Sequence, residues 1–439
     1  PTALEGAAKR HMDQAEQVGA RIIEITDGSQ IDLVPGADLI VDAILGTGLQ
    51  GSVRSLAAQA ITCINKHDCP VLSVDVPSGF NPEIGPPDEI DREAWPCVLA
   101  DQTVTIGLMK VGLPTMPGKK WSGHLVVADI GFPPEAIEAE GLMLFSPSCE
   151  EIQAMMPRRK HDAHKGDCGR VVVVAGSVGM TGAATLTSTA AMRSGAGMAI
   201  LGAPESLVDV LSVKLTEVMV RPLTETSEQS LSLDAEPAVQ SLLEWGDVLA
   251  IGPGLSQQPE TSELVRRVVA QSPCPLVIDA DGLNAYTNQG DILSQRRSEA
   301  VITPHVAELS RLTGIKEDEI LSDRIAAARR AAEQFDLVVA LKGAGTVVAS
   351  PDGRASINPT GNPGMATAGA GDVLAGITAG LIAQGMMAFE ATILGVYLHG
   401  LSGDIAAAAV GTHSMMAGDL LTCLPKAIVQ MESGCSSGC

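Results

Sequence analysis

From residue 170 onward the chain alternates short, unbroken apolar runs with longer stretches in which apolar residues recur every three or four positions. RVVVVAG at 170–176 is the first such run, and others fall near 199–203, 217–221, 248–251, 276–280, 300–303 and 337–341. Runs this short and apolar on both faces read as strands buried in a parallel sheet. Helical spacing fills the gaps near 235–245, 259–271, 305–313 and 322–335. Strands alternating with helices predict an α/β layer structure with a mostly parallel sheet.

The earlier third reads similarly. Leu4, Ala7, Ala8, Met12, Ala15 and Val18 form one helical stripe, RIIEI at 21–25 reads as a strand, and LIVDAIL at 39–45 as another. An amphipathic helix with Val53, Leu56, Ala60, Ile61 and Ile64 follows, then strands at 71–76, near 97–106 and at 124–130. The first readable element is thus a crossover helix, which in such folds follows a strand. This unit, residues 1–133, therefore reads as truncated at its N-terminus. Residues 134–160 carry little periodicity and read as a linker and lead-in to a second domain, 161–431, with a disordered tail at 432–439.

Composition narrows the partners. Hydrophobic content of 45% with only 2% aromatic residues means cores of Val, Ile, Leu, Ala and Met. A formal net charge of −23 excludes nucleic acid or an anionic membrane as a partner, because both would be repelled. An anionic small ligand must then be held by backbone N–H groups and a few placed cations. The nine cysteines form no CxxC pair and read as reduced thiols. With no signal peptide and no long uncharged apolar run, the expectation is a soluble cytoplasmic protein.

The chemistry concentrates at 358–376, NPTGNPGMATAGAGDVLAG. A glycine-rich turn feeding a helix N-terminus binds phosphate, since unpaired N–H groups and the helix dipole both favour negative charge there. Asp372 at that spot would repel phosphate as a ligand and is better suited to take a proton from an attacking hydroxyl. Its plainer reading is an N-capping Asp. Other candidates follow apolar strands: Gly252 and Gly254, Asp279 and Asp281, His305 and Glu308, Lys342 with Gly343 and Gly345. In the first unit, Asp42 interrupts a buried run and needs a cation or a hydrogen-bond network. Gly46, Gly48 and Gly51 form a second candidate phosphate loop, and Asp75 and Ser78 end a strand.

DAILGTGLQGSVR, SVDVPSGF, ADQTVTIGLMKVGL and VVADIGFP resemble the epimerase domain of the bacterial bifunctional NAD(P)H-hydrate repair enzymes. HKGxxGxVxVxAGSxxMTGAA, IGPGL, DADGLN, TPHxxEL, LKGAGT and NPGMAT with GAGDVLAGI resemble their ribokinase-like dehydratase domain. The resemblance implies a truncated Rossmann-like epimerase domain followed by an ADP-dependent dehydratase. It implies that Asp42 and Ser78 hold a potassium ion. Gly46, Thr47, Gly48, Leu49, Gln50, Gly51 and Ser52, with Asp75, would contact the hydrate in the epimerase. In the dehydratase, Lys342, Gly343, Ala344, Gly345 and Thr346, together with Asn362, Pro363, Gly364, Met365, Ala366, Thr367, Ala368, Gly369, Ala370 and Gly371, would surround ADP, with Mg2+. Gly254, His305 and Asp372 would face the hydrate, with Asp372 as the base. Relatives assemble as homo-oligomers, which is the expectation here. An Asn-Asn-Gly-Gly-Asp loop of the family is absent, which counts against epimerase activity. The rival readings are an ATP-dependent small-molecule kinase of the same fold and a non-catalytic nucleotide-binding module.

Overall fold

A computed structural model describes residues 6–33, 36–49, 51, 53–83, 85, 95–116 and 118–434. The chain divides into two compact units, residues 1–133 and 134–439. The first carries a four-stranded parallel sheet in the order β1-β2-β3-β4, with β1 Ile40–Asp42, β2 Val71–Val74, β3 Gln102–Ile106 and β4 His124–Ala128. Helices Gly6–Gln17 and Ser55–Ile64 belong to this unit. The expected strand at 21–25 is absent: Ile22 and Ile23 are exposed, so their apolar pattern finds no sheet to pair with. The expected first helix is present from Gly6; Leu4 lies outside the described residues.

The second unit is built on a ten-stranded sheet, β5-β14-β13-β12-β11-β10-β9-β6-β7-β8. Its strands are β5 Leu144–Phe145, β6 Arg170–Val174, β7 Met198–Pro204, β8 Met219–Leu223, β9 Val248–Ile251, β10 Leu276–Ile278, β11 Ala300–Ile302, β12 Val338–Leu341, β13 Val347–Ala349 and β14 Ala355–Ile357. All neighbours are parallel except that β13 runs antiparallel to both β12 and β14. Successive side chains of β6 alternate between two cores: Val171 and Val173 face helices Thr181–Arg193, Ala370–Ala383 and Ala388–Val410, whereas Val172 and Val174 face helices Glu236–Trp245 and Pro259–Gln271. That burial on both faces is why the sequence run is unbroken, each such valine contributing about 1.5–3 kcal/mol.

Residues 134–160 do more than connect. They form helix Pro134–Ala139, edge strand β5 and helix Cys149–Met155, whose Ser148 and Glu151 complete a capping box. The expected disordered tail is corrected in part: Glu432 and Ser433 close helix Ala417–Ser433, and 435–439 lie outside the described residues. Cys149 is disulfide-bonded, contrary to the expectation of reduced thiols throughout, while Cys69, Cys97, Cys168, Cys274 and Cys423 are free. Helix Ala388–Val410 is long and apolar enough to cross a membrane, yet it is mostly buried inside the unit as a core helix.

Candidate active site

Lys342 follows the last residue of β12, and its backbone N–H donates to the Pro304 carbonyl, tying it to the turn after β11. Its ammonium donates to Asp279 Oδ1 at 2.6 Å and lies 3.7 Å from Glu308 Oε2. Both carboxylates are almost fully buried, so each depends on this cation. Burial works to lower the Lys342 pKa, but the negative charges of Asp279 and Glu308 outweigh it and hold the ammonium charged. Arg324 braces the following turn from below, donating to the Leu341 and Ala344 carbonyls at 3.0 and 2.6 Å. A Cβ at Gly343 would lie 2.8 Å from that guanidinium and displace it, and the backbone there, at φ +150°, favours glycine.

The glycine-rich stretch arrives beside this cluster. Gly369, at φ +90°, turns the chain into helix Ala370–Ala383. A Cβ at Gly371 would stand 3.3 Å from Lys342 Nζ and 3.4 Å from Asp279 Oδ2, which places the helix start against the ion pair. Asp372, in the first turn, is pushed up to about 7, chiefly by burial and then by the charge of Asp279, with Lys342 opposing. A carboxylate half-protonated near neutrality, at a helix N-terminus and beside a fixed ammonium, is poised for proton transfer. The plainer capping reading finds no support, because no side chain caps this helix.

His305 is exposed and caps helix Val306–Thr313, its Nδ1 accepting from Glu308 N–H at 3.3 Å while Glu308 returns a bond to the His305 N–H at 2.8 Å. Through Glu308 it joins the Lys342 cluster. Gly254 is buried at φ +64°; Ser177 donates to its carbonyl at 2.8 Å, and a Cβ there would strike Met180. Of the loop after β12, Gly343 and Ala344 are exposed, Gly345 and Thr346 partly so, and the Thr346 carbonyl accepts from Asn358 N–H at 3.0 Å. That bond joins the two loops. From Asn362 to Gly371 the backbone turns tightly: Met365 N–H donates to Asn362 O, Ala366 to Pro363 O, and Thr367 to Met365 O. Ala368 is exposed and Ala370 buried.

Two flanking residues carried no sequence signal. The His399 ring hydrogen-bonds the Ala370 backbone while its Nε2 is buried without a partner among the described residues. Burial, opposed by that bond and aided by Lys342, drops its pKa to about 4, so the imidazole is neutral. Asp404 accepts from the Gly361 N–H and the Asn362 side chain, each at 2.9 Å. In sequence both were ordinary polar positions in an apolar helix.

In the first unit, Asp42 is fully buried and answered by hydroxyls. Ser78 Oγ donates to its Oδ1 at 2.6 Å; Ser73 Oγ and the Ser78 N–H donate to its Oδ2 at 2.9 and 2.8 Å. Ser78 Oγ also accepts from Leu45 N–H at 2.8 Å. The hydrogen-bond network that the sequence offered as one partner for Asp42 is present. Gly46, Thr47 and Gly48 form an exposed turn, Leu49 N–H bonding Gly46 O, and Gly51 takes φ +79°; Gln50 and Ser52 lie outside the described residues. Asp75 sits after β2 at φ +69°, a left-handed geometry that strains a non-glycine residue. Lys110 Nζ, Thr105 Oγ1 and the Ile106 N–H all donate to its carboxylate. Burial works to raise its pKa, but Lys110 and the Ile106 N–H hold it below the usual range.

A family model described as NAD(P)H-hydrate dehydratase matches residues 171–426, and one described as YjeF-related protein N-terminus matches residues 1–112. The bifunctional NAD(P)H-hydrate repair enzyme of Moorella thermoacetica is 42% identical over 437 residues, 98% of this chain and 81% of that protein. Its counterpart from Escherichia coli is 36% identical over 392 residues, 89% of this chain and 72% of the other. Among solved structures, the ADP/ATP-dependent NAD(P)H-hydrate dehydratase of Bacillus subtilis, co-crystallised with ATP and Mg2+, is 32% identical with a TM-score of 0.58, covering 65% of this chain and 98% of its own. A ribokinase-like superfamily protein from Enterococcus faecalis is 27% identical with a TM-score of 0.57, covering 66% of this chain and 97% of its own.

Proposed function

Because this chain belongs to the family of bifunctional NAD(P)H-hydrate repair enzymes, we propose that it dehydrates (S)-NADH or (S)-NADPH hydrate at the expense of ADP, while its first unit interconverts the R and S hydrates. The observation that carries the reading is Asp372: a carboxylate with its pKa near 7, at a glycine-rich helix start beside the Lys342 ammonium. Hydroxide is a poor leaving group and phosphate a good one, so a kinase fold suits a dehydratase. Asp372 takes the proton of the ring hydroxyl as its oxygen attacks the terminal phosphorus of ADP and AMP departs. Phosphate then leaves as the ring nitrogen's electron pair forms an iminium, and loss of the neighbouring ring proton restores the dihydronicotinamide.

Lys342 and the loops 342–346 and 362–371 would hold the diphosphate, and Gly254 and His305 would flank the hydrate. The carboxylates around Lys342 are hard oxygen donors that suit Mg2+ carried by the nucleotide, where the ion would neutralise charge on the phosphates. In the first unit, Gly46 to Ser52 and Asp75 would contact the hydrate. Asp42 and Ser78, which hydrogen-bond one another, would hold a potassium ion, and no step is routed through it. The enzyme would act as a cytoplasmic homo-oligomer.

The test is recovery of reduced-nicotinamide absorbance from separately prepared S and R hydrates with ADP, with ATP and without nucleotide. ADP-dependent recovery from S is expected. Asp372→Ala should cut that turnover by about 10²-fold or more while ADP affinity stays within about tenfold. No recovery with either nucleotide would overturn the reading.

A further inference from the structure

Helix Ala388–Val410 passes directly behind the 358–371 loop. Thr360 Oγ1 donates to the Tyr397 carbonyl at 2.9 Å. A Cβ at Gly400 would stand 2.2 Å from Thr360 Oγ1 and 2.8 Å from the Thr360 backbone carbonyl carbon, so the helix approaches this closely only as glycine, and one at Gly403 would stand 2.4 Å from Met365 Sδ. One turn on from Gly400, Asp404 presents both oxygens to the loop, Oδ2 accepting from Gly361 N–H and Oδ1 from Asn362 Nδ2, each at 2.9 Å. Asn362 then turns its own Oδ1 onto the Gly364 N–H at 3.0 Å.

We propose that Asp404 is the positioning residue for the nucleotide loop: it fixes the Asn362 carboxamide in one orientation, and through it the turn that leads the backbone N–H groups to the phosphates. This rests on the assignment of 362–371 to ADP. The direction of every bond in the relay is set by Asp404. Its carboxylate offers only acceptors, so Asn362 must point its amide nitrogen there and its oxygen at Gly364. A carboxamide at 404 offers one acceptor and one donor. If its oxygen serves Gly361, its nitrogen meets the Asn362 nitrogen; if Asn362 flips to relieve that, its nitrogen meets the Gly364 N–H. Each arrangement leaves two donors facing one another. Replacing Asn362 by Asp instead sets two carboxylates together. Exchanging the two restores the whole relay with its central bond reversed: the carboxamide at 404 accepts from Gly361 and donates to the carboxylate at 362, which accepts from Gly364.

The experiment is ADP-dependent recovery from the S hydrate with the full chain, reading KM for ADP and kcat separately for wild type, D404N, N362D and the D404N/N362D exchange. Each single variant should raise KM for ADP at least tenfold with kcat within threefold, because the loop and not the base is disturbed. The exchange should return KM to within threefold of wild type. Single variants with unchanged KM, or an exchange whose KM equals the product of the two single effects, would overturn the proposal. If the singles fail to fold, the exchange decides alone: a folded exchange with near-wild-type KM supports the relay, and one that is unfolded or shows a KM raised tenfold overturns it. A wild type that recovers nothing with ADP indicts the functional assignment instead, since the relay is then untied from any nucleotide.

Discussion

Asp372 shows how burial and neighbouring charges of both signs set the pKa of a single residue. Its pKa near 7 lies about three units above that of an exposed aspartate. As the proton acceptor it should give kcat/KM a limb that rises about tenfold per pH unit below 7 and flattens above it. A limb absent between about pH 5 and 7 would remove Asp372 from that role. The same shift acts on stability with a definite sign. A carboxyl whose folded pKa is raised favours the folded state fully below its unfolded value and loses that contribution as pH climbs through 7. Asp372→Asn should therefore raise the melting temperature relative to wild type at about pH 8 and leave it nearly unchanged at about pH 4. The first unit tunes a carboxylate the other way. Asp75 is held ionised by Lys110 in spite of partial burial. In Asp75→Asn, recovery from the R hydrate should fall at least tenfold toward the spontaneous rate while recovery from S stays within twofold. A parallel loss from S would mean that Asp75 serves the dehydratase or its folding instead.

Between elements, the helix that carries Asp372 is placed by close packing against helix Thr181–Arg193. A Cβ at Gly376 would stand 2.2 Å from the Thr187 carbonyl and 2.7 Å from Ala190 Cβ, so the two backbones nearly touch. Gly376→Ala must push them apart, and a loss of about 1–3 kcal/mol is expected in denaturant unfolding, with a further loss of turnover as Asp372 shifts from Lys342. An unchanged midpoint would show that the interface can yield. The sequence made this helix legible through Val373, Leu374, Ile377 and Leu381, and its unbroken apolar runs placed β9, β10 and β11 to within a residue or two. It misplaced what depends on neighbours. Arg21–Ile25 has the composition of a strand but no sheet beside it, and residues 134–160 lack periodicity because their elements are too short to repeat. Asp404, His399 and Arg324 were invisible for a related reason: each bonds backbone brought to it by the fold, and nothing in its own surroundings along the chain marks it.

Over the whole chain, a net charge of −23 and anionic substrates oppose one another, and the proposed site answers this with backbone N–H groups and the Lys342 ammonium held among carboxylates. The family, the α/β class and the ordered motifs were readable because catalysis demands fixed residues at strand ends. The part of Ser73 in closing Asp42 was not, since it depends on β2 lying beside β1. The reversal of β13 has a further consequence. Two reversals make an even number, so β14 points the same way as β12, and the chain emerges twice on one rim of the sheet with a single hairpin between. One covalent stitch thereby ties the lysine loop to the glycine loop, and Asn358 N–H fastens it at Thr346. The turn Ser350–Arg354 falls on the far rim. Evolution can lengthen or decorate that turn freely while the two loops that must act together stay in step.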